Sequence, residues 1–251
     1  YLNEEFKDIS LTVYKTIEST NTEAKLLAVQ DAGHGTTLVS EEQTKGRGRF
    51  GRDFFSPSDS GIYMSIILKP KLNMENAVLI TTAAAVAICD AIEKFTNKVS
   101  RIKWVNDIFI GDRKVCGILT EAVTNFESGM MESVIVGIGI NVKTKNEDFP
   151  LELQDTAGSI FNDEDTFIRN QLAAEIINNV LKISMTIEDK SFMQIYKERS
   201  LILGEQILYK KNNNWYEGQA LDIDDFGGLV VYTSDGQKIT LNSGEVSIKK
   251  K

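Results

Sequence analysis

The segment Gly46-Arg47-Gly48-Arg49-Phe50-Gly51-Arg52 gathers three arginines into six residues, close behind Glu41 and Glu42. Glycine lets a backbone bend at positive φ and come close to a ligand. Arginine presents a planar fork matched to carboxylate and phosphate oxygens. A loop of this composition can hold two anions together, which is what joining a carboxylate to a nucleotide α-phosphate requires. The blander readings are a solvated turn, or an RNA-binding Gly/Arg segment of the kind that recurs in disordered tracts; this one occurs once, between strand-like runs. A second polar group follows in Lys103-Trp104-Val105-Asn106-Asp107 and Lys114-Val115-Cys116-Gly117-Ile118-Leu119-Thr120-Glu121. Lys114 opens a strand-like run just past a tight turn, where its ammonium can reach into a cleft. Gly117 removes a side chain three residues later, as a strand does where a ligand lies against its backbone. Taken singly, a lysine beside a turn is most often a solvated surface charge.

The elements that would position these groups can be read from periodicity. Residues 12–18 alternate like a strand, and Ser19-Thr20 then offer an N-cap to a helix through Ala24, Leu27 and Ala28. Residues 36–43 read as a strand running into the Gly/Arg loop. Ile62, Met64, Ile66 and Leu68 alternate as in a half-buried strand, and the alanine-rich stretch from Asn76 to Phe95 predicts a buried helix. RIKWV, DIFI and KVCGILTEAV predict strands, the last two joined as a hairpin through Gly111-Asp112-Arg113. SVIVGIGINV, residues 133–142, is apolar enough to be a central strand. From Asp165 to Ile187, residues Ile168, Leu172, Ile176, Val180 and Ile183 fall at helical spacing after a polar Asn162-Asp163-Glu164-Asp165 start, and a second helix follows over Phe192 to Arg199. After Gly204, five short strands separated by turn signals, among them Asn212-Asn213-Asn214, predict a small antiparallel barrel of about 45 residues. Strands and helices interleave without regular βαβ alternation. The expected class is therefore α+β, a mixed β-sheet catalytic domain packed with helices over 1–203 and a small C-terminal β-barrel over 204–251.

Bulk properties narrow the classes further. At 251 residues with 42% apolar and 25% charged side chains, the chain can bury a substantial core, and disordered or fibrous classes are excluded. A formal net charge of −8 argues against broad binding to nucleic acid or anionic membrane, since the global field attracts no phosphate. Cys89 and Cys116 lack metal-ligand spacing and lie in apolar runs, which fits a reduced, cytoplasmic setting. The longest apolar stretch, Ala77 to Ile92, is short for a bilayer and is interrupted by Thr81, Thr82 and Asp90. No signal peptide is expected, although the chain opens on Tyr1 rather than Met. His34, the single histidine, reads as a loop residue, Trp104 and Trp215 as packing residues, and the three final lysines as a solvated tail.

Together the polar segments resemble the biotin–protein ligase family over nearly the whole chain. GRGRFGR is similar to that family's GRGRxGR, KWVND to its KWPND, and KVCGILTE to its K-x-x-G-I-L-x-E. Glu18 to Asn21, Gln43, Phe54 to Pro57 and Gly137 to Asn141 stand in the expected order around them. The resemblance implies a class II synthetase-like sheet with an SH3-like C-terminal barrel. It also implies two half-reactions: ATP-dependent activation of biotin to biotinyl-5′-AMP with pyrophosphate release, then transfer to a lysine of a biotin-carrier domain. Ser19, Thr20, Asn21, Gln43, Arg47, Gly48, Arg49, Lys114 and Gly117 would bind biotin. Arg49, Arg52, Phe54, Lys103, Asn106 and Asn141 would bind ATP, with Mg²⁺ bridging the phosphates and no metal held by the protein alone. Lys114, Arg49 and Asp107 would carry the chemistry, Asp107 either by orienting the acceptor amine or merely as a turn carboxylate. Two departures stand out. Val105 replaces the family's usual proline, and Phe54 stands where many members carry tryptophan, offering adenine a smaller π-face.

Three readings follow. The first is the ligase, with lipoate ligases, which share the fold but lack the arginine loop, as its neighbour. The second is a ligase that is also a biotin-sensing repressor with a winged helix-turn-helix, for which residues 1–11 leave no room, so DNA binding is not expected of this chain alone. The third is a non-catalytic anion-binding module, which leaves Lys114, Gln43 and Ser19-Thr20-Asn21 unexplained. Homodimerisation through an exposed sheet edge is compatible with the first two.

Overall fold

The computed structural model describes residues 1–70, 77–124, 131–161, 168–211, 214–242, 244 and 246–248. Asn76, the Asn162-Asp163-Glu164-Asp165 start, Asn212-Asn213 and the final three lysines lie outside the described residues. Seven strands form one mixed sheet: β1 (Leu11–Tyr14), β2 (Thr37–Ser40), β3 (Gly61–Leu68), β4 (Ser100–Lys103), β5 (Asp107–Ile110), β6 (Arg113–Thr124) and β7 (Met131–Asn141). Their order is β1-β2-β3-β7-β6-β5-β4, with β1 and β2 parallel and the other neighbours antiparallel.

Helices cover both faces. On one side α1 (Thr20–Val29) lays Ala24 and Ala28 against Leu38, Ile67 and Ile135. On the other, α2 (Ala77–Thr96) packs over the strands β4 to β7, α3 (Arg169–Met185) over β3 and α2, and α4 (Phe192–Glu198) against α2, in one core with Ile62, Met64, Ile66 and Leu68. A helix as apolar around its circumference as α2 is stable only when enclosed, and its alanines let neighbours approach closely. Enclosure by helices on both faces corrects one expectation. The strand β3 is buried at every position rather than half-buried, because its alternate residues Ser65 and Ile67 meet α1, and Tyr63 meets Pro57 and Phe54, instead of solvent.

After α4 come β8 (Gln206–Lys211), β9 (Asn214–Ile223), β10 (Leu229–Thr233), β11 (Lys238–Leu241) and β12 (Val246–Ile248). They form the expected antiparallel run in the order β11-β10-β9-β8-β12; among the described residues no ladder closes β11 onto β12. This second sheet is fastened to the first body. Trp104 donates its indole N–H to the Gly227 carbonyl at 2.9 Å, and Lys197 pairs with Asp222 at 2.9 Å. The Lys190 ammonium lies 4.1 Å from the centroid of the Phe226 ring. Gly227 adopts φ +82°, and a Cβ there would meet Val78 of α2 at 2.9 Å, so glycine serves both the turn and the close approach. Trp104 is thus a packing residue, buried as expected. The Trp104–Val105 peptide, at the position of the family's proline, is cis. Trp104→Phe keeps an aromatic ring, though a smaller one, and leaves the Gly227 carbonyl unpaired at the junction. It is expected to cost about 1–3 kcal/mol, read as a lower midpoint in scanning calorimetry; an unchanged midpoint would discount this bond.

Both cysteines are free and buried. Burial pushes the Cys89 thiol up to about 12 and that of Cys116 well above its ordinary value, so both behave as small apolar groups. His34 sits in its loop, accepting the Lys69 backbone N–H at 3.1 Å, and burial lowers its imidazole. Among the described residues no helix is long and apolar enough to cross a membrane.

Candidate active site

A cleft of about 520 Å³ opens beside the mixed sheet, bounded by the N-terminus of α1, the Gly/Arg loop and one edge of the second sheet. All the site residues picked out from the sequence line it. Ser19, Thr20, Asn21 and Gln43 form one end, and Arg47, Gly48, Arg49, Arg52 and Phe54 come from the loop. Lys103, Asn106, Asp107, Lys114, Gly117 and Asn141 come from the sheet and its connections.

Ser19 and Thr20 were expected to cap α1. Ser19 does stand at the N-cap with an extended backbone, but no side chain makes a capping hydrogen bond there. Instead the helix start is tied to the loop and sheet. Gln43 Oε1 accepts the Thr20 backbone N–H at 2.8 Å and its hydroxyl at 3.1 Å, while Gln43 Nε2 donates to Ser56 Oγ at 3.0 Å. Ser65 Oγ lies 2.8 Å from Thr20 Oγ1 and 2.6 Å from Asn21 Oδ1. Asn21 donates to the Leu119 carbonyl at 3.2 Å and to Glu121 Oε2 at 2.9 Å. This chain fixes Thr20, Asn21 and Gln43 at this end, as a pocket for an uncharged polar ring requires.

Glycines make room for these side chains. A Cβ on Gly137 would lie 2.0 Å from Asn21 Oδ1, and one on Gly139 would lie 2.4 Å from the Phe54 ring. Gly117, the cross-strand partner of Gly139, would bring its Cβ within 3.2 Å of the same ring. Phe54 therefore rests on a floor of two facing glycines, with Tyr63 edge-on at 6.5 Å. Burial pushes the Tyr63 phenol up to about 12, and it donates to the Pro57 carbonyl at 2.9 Å.

The loop arginines diverge. Arg47 turns to Glu121 on β6, giving two bonds of 3.0 and 3.1 Å, so its fork is directed at a protein carboxylate. Arg49 donates to Asn106 Oδ1 at 2.9 Å, and Asn106 is itself held by the Ile118 carbonyl at 2.9 Å. Just after Arg49, Phe50 takes φ +58° and is 60% exposed, its ring 4.8 Å from the Arg49 guanidinium carbon. Lys114 lies 2.7 Å from Asp107 Oδ1 across the β5–β6 hairpin. That oxygen is buried and has no aligned hydrogen bond, so the contact is an ion pair in close range rather than a directed bond. Burial works to raise the Glu121 carboxyl, but bonds from Lys25 and Asn21 and the Arg47 charge outweigh it and hold it below the usual carboxylate range.

Two groups of residues, one lining the cleft and one bonded to its lining, escaped the sequence reading. Trp215, expected to pack, is 51% exposed and lines the cleft from the start of β9, together with Gly244, Val246 and Ser247. Its placement corrects the expectation: the hairpin end of the second sheet faces the site, so the ring stands at the mouth instead of in a core. Ser65 was missed because an isolated serine carries no spacing signal, and Ser56 stood inside the Phe54 to Pro57 segment without a role. Glu121 closed a motif but had no role.

Comparison with known proteins agrees with this architecture. Residues 13–141 match the Biotin/lipoate A/B protein ligase family, and residues 202–249 match the Biotin protein ligase C terminal domain. The chain is 36% identical over 229 residues to the Bifunctional ligase/repressor BirA of Bacillus spizizenii, covering 88% of this chain and 69% of that protein. It is 26% identical over 240 residues to the Biotin--[acetyl-CoA-carboxylase] ligase of Mycobacterium tuberculosis, covering 90% and 85%. Among solved structures, the biotin protein ligase from Aquifex aeolicus in complex with biotin and ATP superposes with a TM-score of 0.81 at 27% identity, covering 96% of this chain and 99% of that one.

Proposed function

The chain belongs to the biotin/lipoate A/B protein ligase family, and from that premise we propose how its cleft activates biotin with ATP and hands it to an acceptor lysine. The activity is that of a biotin–protein ligase, with biotin and ATP as substrates. The observation that carries the reading is the meeting, in one cleft, of a hydrogen-bonded pocket of uncharged polar side chains with a cluster of Lys114, Arg49 and Arg52.

At the neutral end the ureido ring of biotin needs partners for two N–H donors and one carbonyl. Ser19, whose hydroxyl makes no capping bond, and the Gln43 amide face that requirement, with Thr20 and Asn21 held behind them. The acyl chain runs along the glycine floor toward the cations. There a carboxylate oxygen attacks the α-phosphorus of ATP, the bond to pyrophosphate breaks, and biotinyl-5′-AMP forms. Both reactants are anions, so the burden is electrostatic. Lys114 and Arg49 offset the growing charge on the phosphorus oxygens, and Phe54 and Asn141 take the nucleoside side. Mg²⁺ carried on the phosphates would add charge neutralisation beside Lys114, Arg49 and Arg52. In the second half-reaction a neutral lysine amine of the acceptor attacks the acyl carbon and AMP leaves, with Asp107 placed to orient that amine. A carboxylase biotin-carrier domain as acceptor, self-association through the exposed edge strand β1, a cytoplasmic setting and the lack of a nucleic-acid partner for this chain belong to the same proposal.

Biotin-dependent release of pyrophosphate from ATP by the purified chain tests it, with lipoate as the comparison acid. Release with biotin and little with lipoate is expected. Release with lipoate alone would move the substrate assignment to the neighbouring ligases.

A further inference from the structure

Lys114 stands at an irregular point of the sheet. Toward β5 the register shifts: Phe109 faces Lys114 while Ile108 faces Cys116, so Val115 has no partner and β6 bulges there. A bulge bends its strand and re-aims the side chains beside it. Toward β7 the ladder begins only at Cys116, opposite Ile140. The neighbour that Lys114 does have is the segment after β7. Its N–H donates to the Thr156 carbonyl at 2.8 Å and its carbonyl accepts the Gly158 N–H at 2.9 Å, a parallel bridge centred on Ala157. Arg113 fastens that segment. Its guanidinium donates to the Gln154 carbonyl, and Gln154 Nε2 donates to the Phe149 carbonyl at 2.9 Å. Gly158 lets the two chains meet, because a Cβ there would lie 2.6 Å from Arg113 Cβ. Asp112, 3.8 Å from Arg113 Nε and 93% exposed, is a solvated partner worth little beside this grip.

We propose that Arg113 is a positioning residue for Lys114: through the Gln154 carbonyl it seats residues 156–158 as the strand neighbour of the Lys114 backbone, and so sets where the ammonium stands in the cleft. This rests on the reading that Lys114 offsets charge at the α-phosphate. A lysine carries its charge on a flexible four-carbon stem, so the ammonium is only as well placed as the two ends of that stem. Asp107 holds the tip at 2.7 Å, and the bonds to Thr156 and Gly158 hold the root. Removing the Arg113 guanidinium takes away the side-chain tie between β6 and the segment that makes those root bonds. An electrostatic stabiliser works only where the charge develops, and a misplacement of about 1 Å can cost about 10²-fold in rate. Arg113 does not line the cleft, so its effect passes through Lys114 and not through contact with substrate.

The test compares Arg113→Ala, Arg113→Lys, Gly158→Ala, Lys114→Ala and the Arg113→Ala/Lys114→Ala double variant in the full chain, reading kcat for biotin-dependent pyrophosphate release and KM for biotin. Arg113→Ala is expected to lower kcat by about 10–10². It should leave the biotin KM within about threefold of the parent, as loss of an interaction made only in the transition state would. Arg113→Lys keeps a donor for the Gln154 carbonyl and should recover most of the rate. In the Lys114→Ala background, Arg113→Ala should cost less than about threefold more, because both changes remove the same group from its place. A parent-like kcat for Arg113→Ala, a raised KM at unchanged kcat, Arg113→Lys as slow as Arg113→Ala, or the full loss repeated without Lys114 would overturn the proposal. Gly158→Ala pushes the segment away from Arg113 and should lower kcat in the same way. Should Arg113→Ala fail to fold, a parent-like kcat for Gly158→Ala overturns the proposal in its place. If Lys114→Ala itself releases pyrophosphate at the parent rate, the reading of Lys114 fails; if it is slow while Arg113→Ala is not, only the positioning role fails.

Discussion

Lys114→Ala is expected to slow biotin-dependent pyrophosphate release by about 10²–10³, the usual consequence of removing one group that stabilises developing anionic charge. The side chain is one-third exposed and lies in the cleft. What changes is the charge at the α-phosphate. The variant loses the ammonium and also leaves Asp107, 2.7 Å from it in the parent, as an uncompensated carboxylate facing an anionic substrate. Asp107→Asn then separates the two roles open to that residue. If Asp107 orients the acceptor amine, transfer from preformed biotinyl-AMP slows while pyrophosphate release persists. If it acts by placing Lys114, both half-reactions fall together. A Lys114→Ala protein that forms biotinyl-AMP at the parent rate would remove Lys114 from the chemistry.

Gly137→Ala is the second large effect. One methyl group placed 2.0 Å from Asn21 Oδ1 must displace that amide and break its contacts with Ser65 and Glu121. The glycine has no positive φ, so the backbone itself tolerates alanine and the damage is confined to the pocket. Losing charged and buried hydrogen bonds of this kind costs about 1.5–3 kcal/mol each. Biotin affinity measured by calorimetry is expected to fall by about 10–10², with ATP affinity close to the parent value. Parent-like biotin binding would show that Asn21 has no part in the pocket.

Much of this site could be read in the chain because its chemistry is concentrated. Three arginines among glycines, a lysine at a hairpin and a glycine in a strand each deviate from what packing alone would select. The residues that were missed deviate from nothing. Ser65 occupies the polar half of an alternating pattern, which reads as solvent-facing until α1 is seen to cover it. Glu121 is an ordinary strand carboxylate until Arg47, far away in sequence, folds back onto it. Trp215 has the composition of a core residue and becomes a cleft wall only because of where the second sheet docks. Ser19 shows the opposite failure: its local sequence fits a helix cap, and the tertiary setting withholds the capping bond. Local rules located the elements, while the direction each polar side chain takes was set by long-range neighbours.

The apolar core runs without a break from α2 through Trp104 into Ile207, Ala220 and Leu229 of the second sheet. Although two separate family matches divide the chain, its buried apolar residues form one continuous cluster, for which a single cooperative unfolding transition is expected. Such a body melts as one cooperative unit, with a single calorimetric transition whose van't Hoff and calorimetric enthalpies agree. Neither part then has a stability of its own to be measured, and a lesion in the C-terminal strands is felt as loss of the catalytic fold.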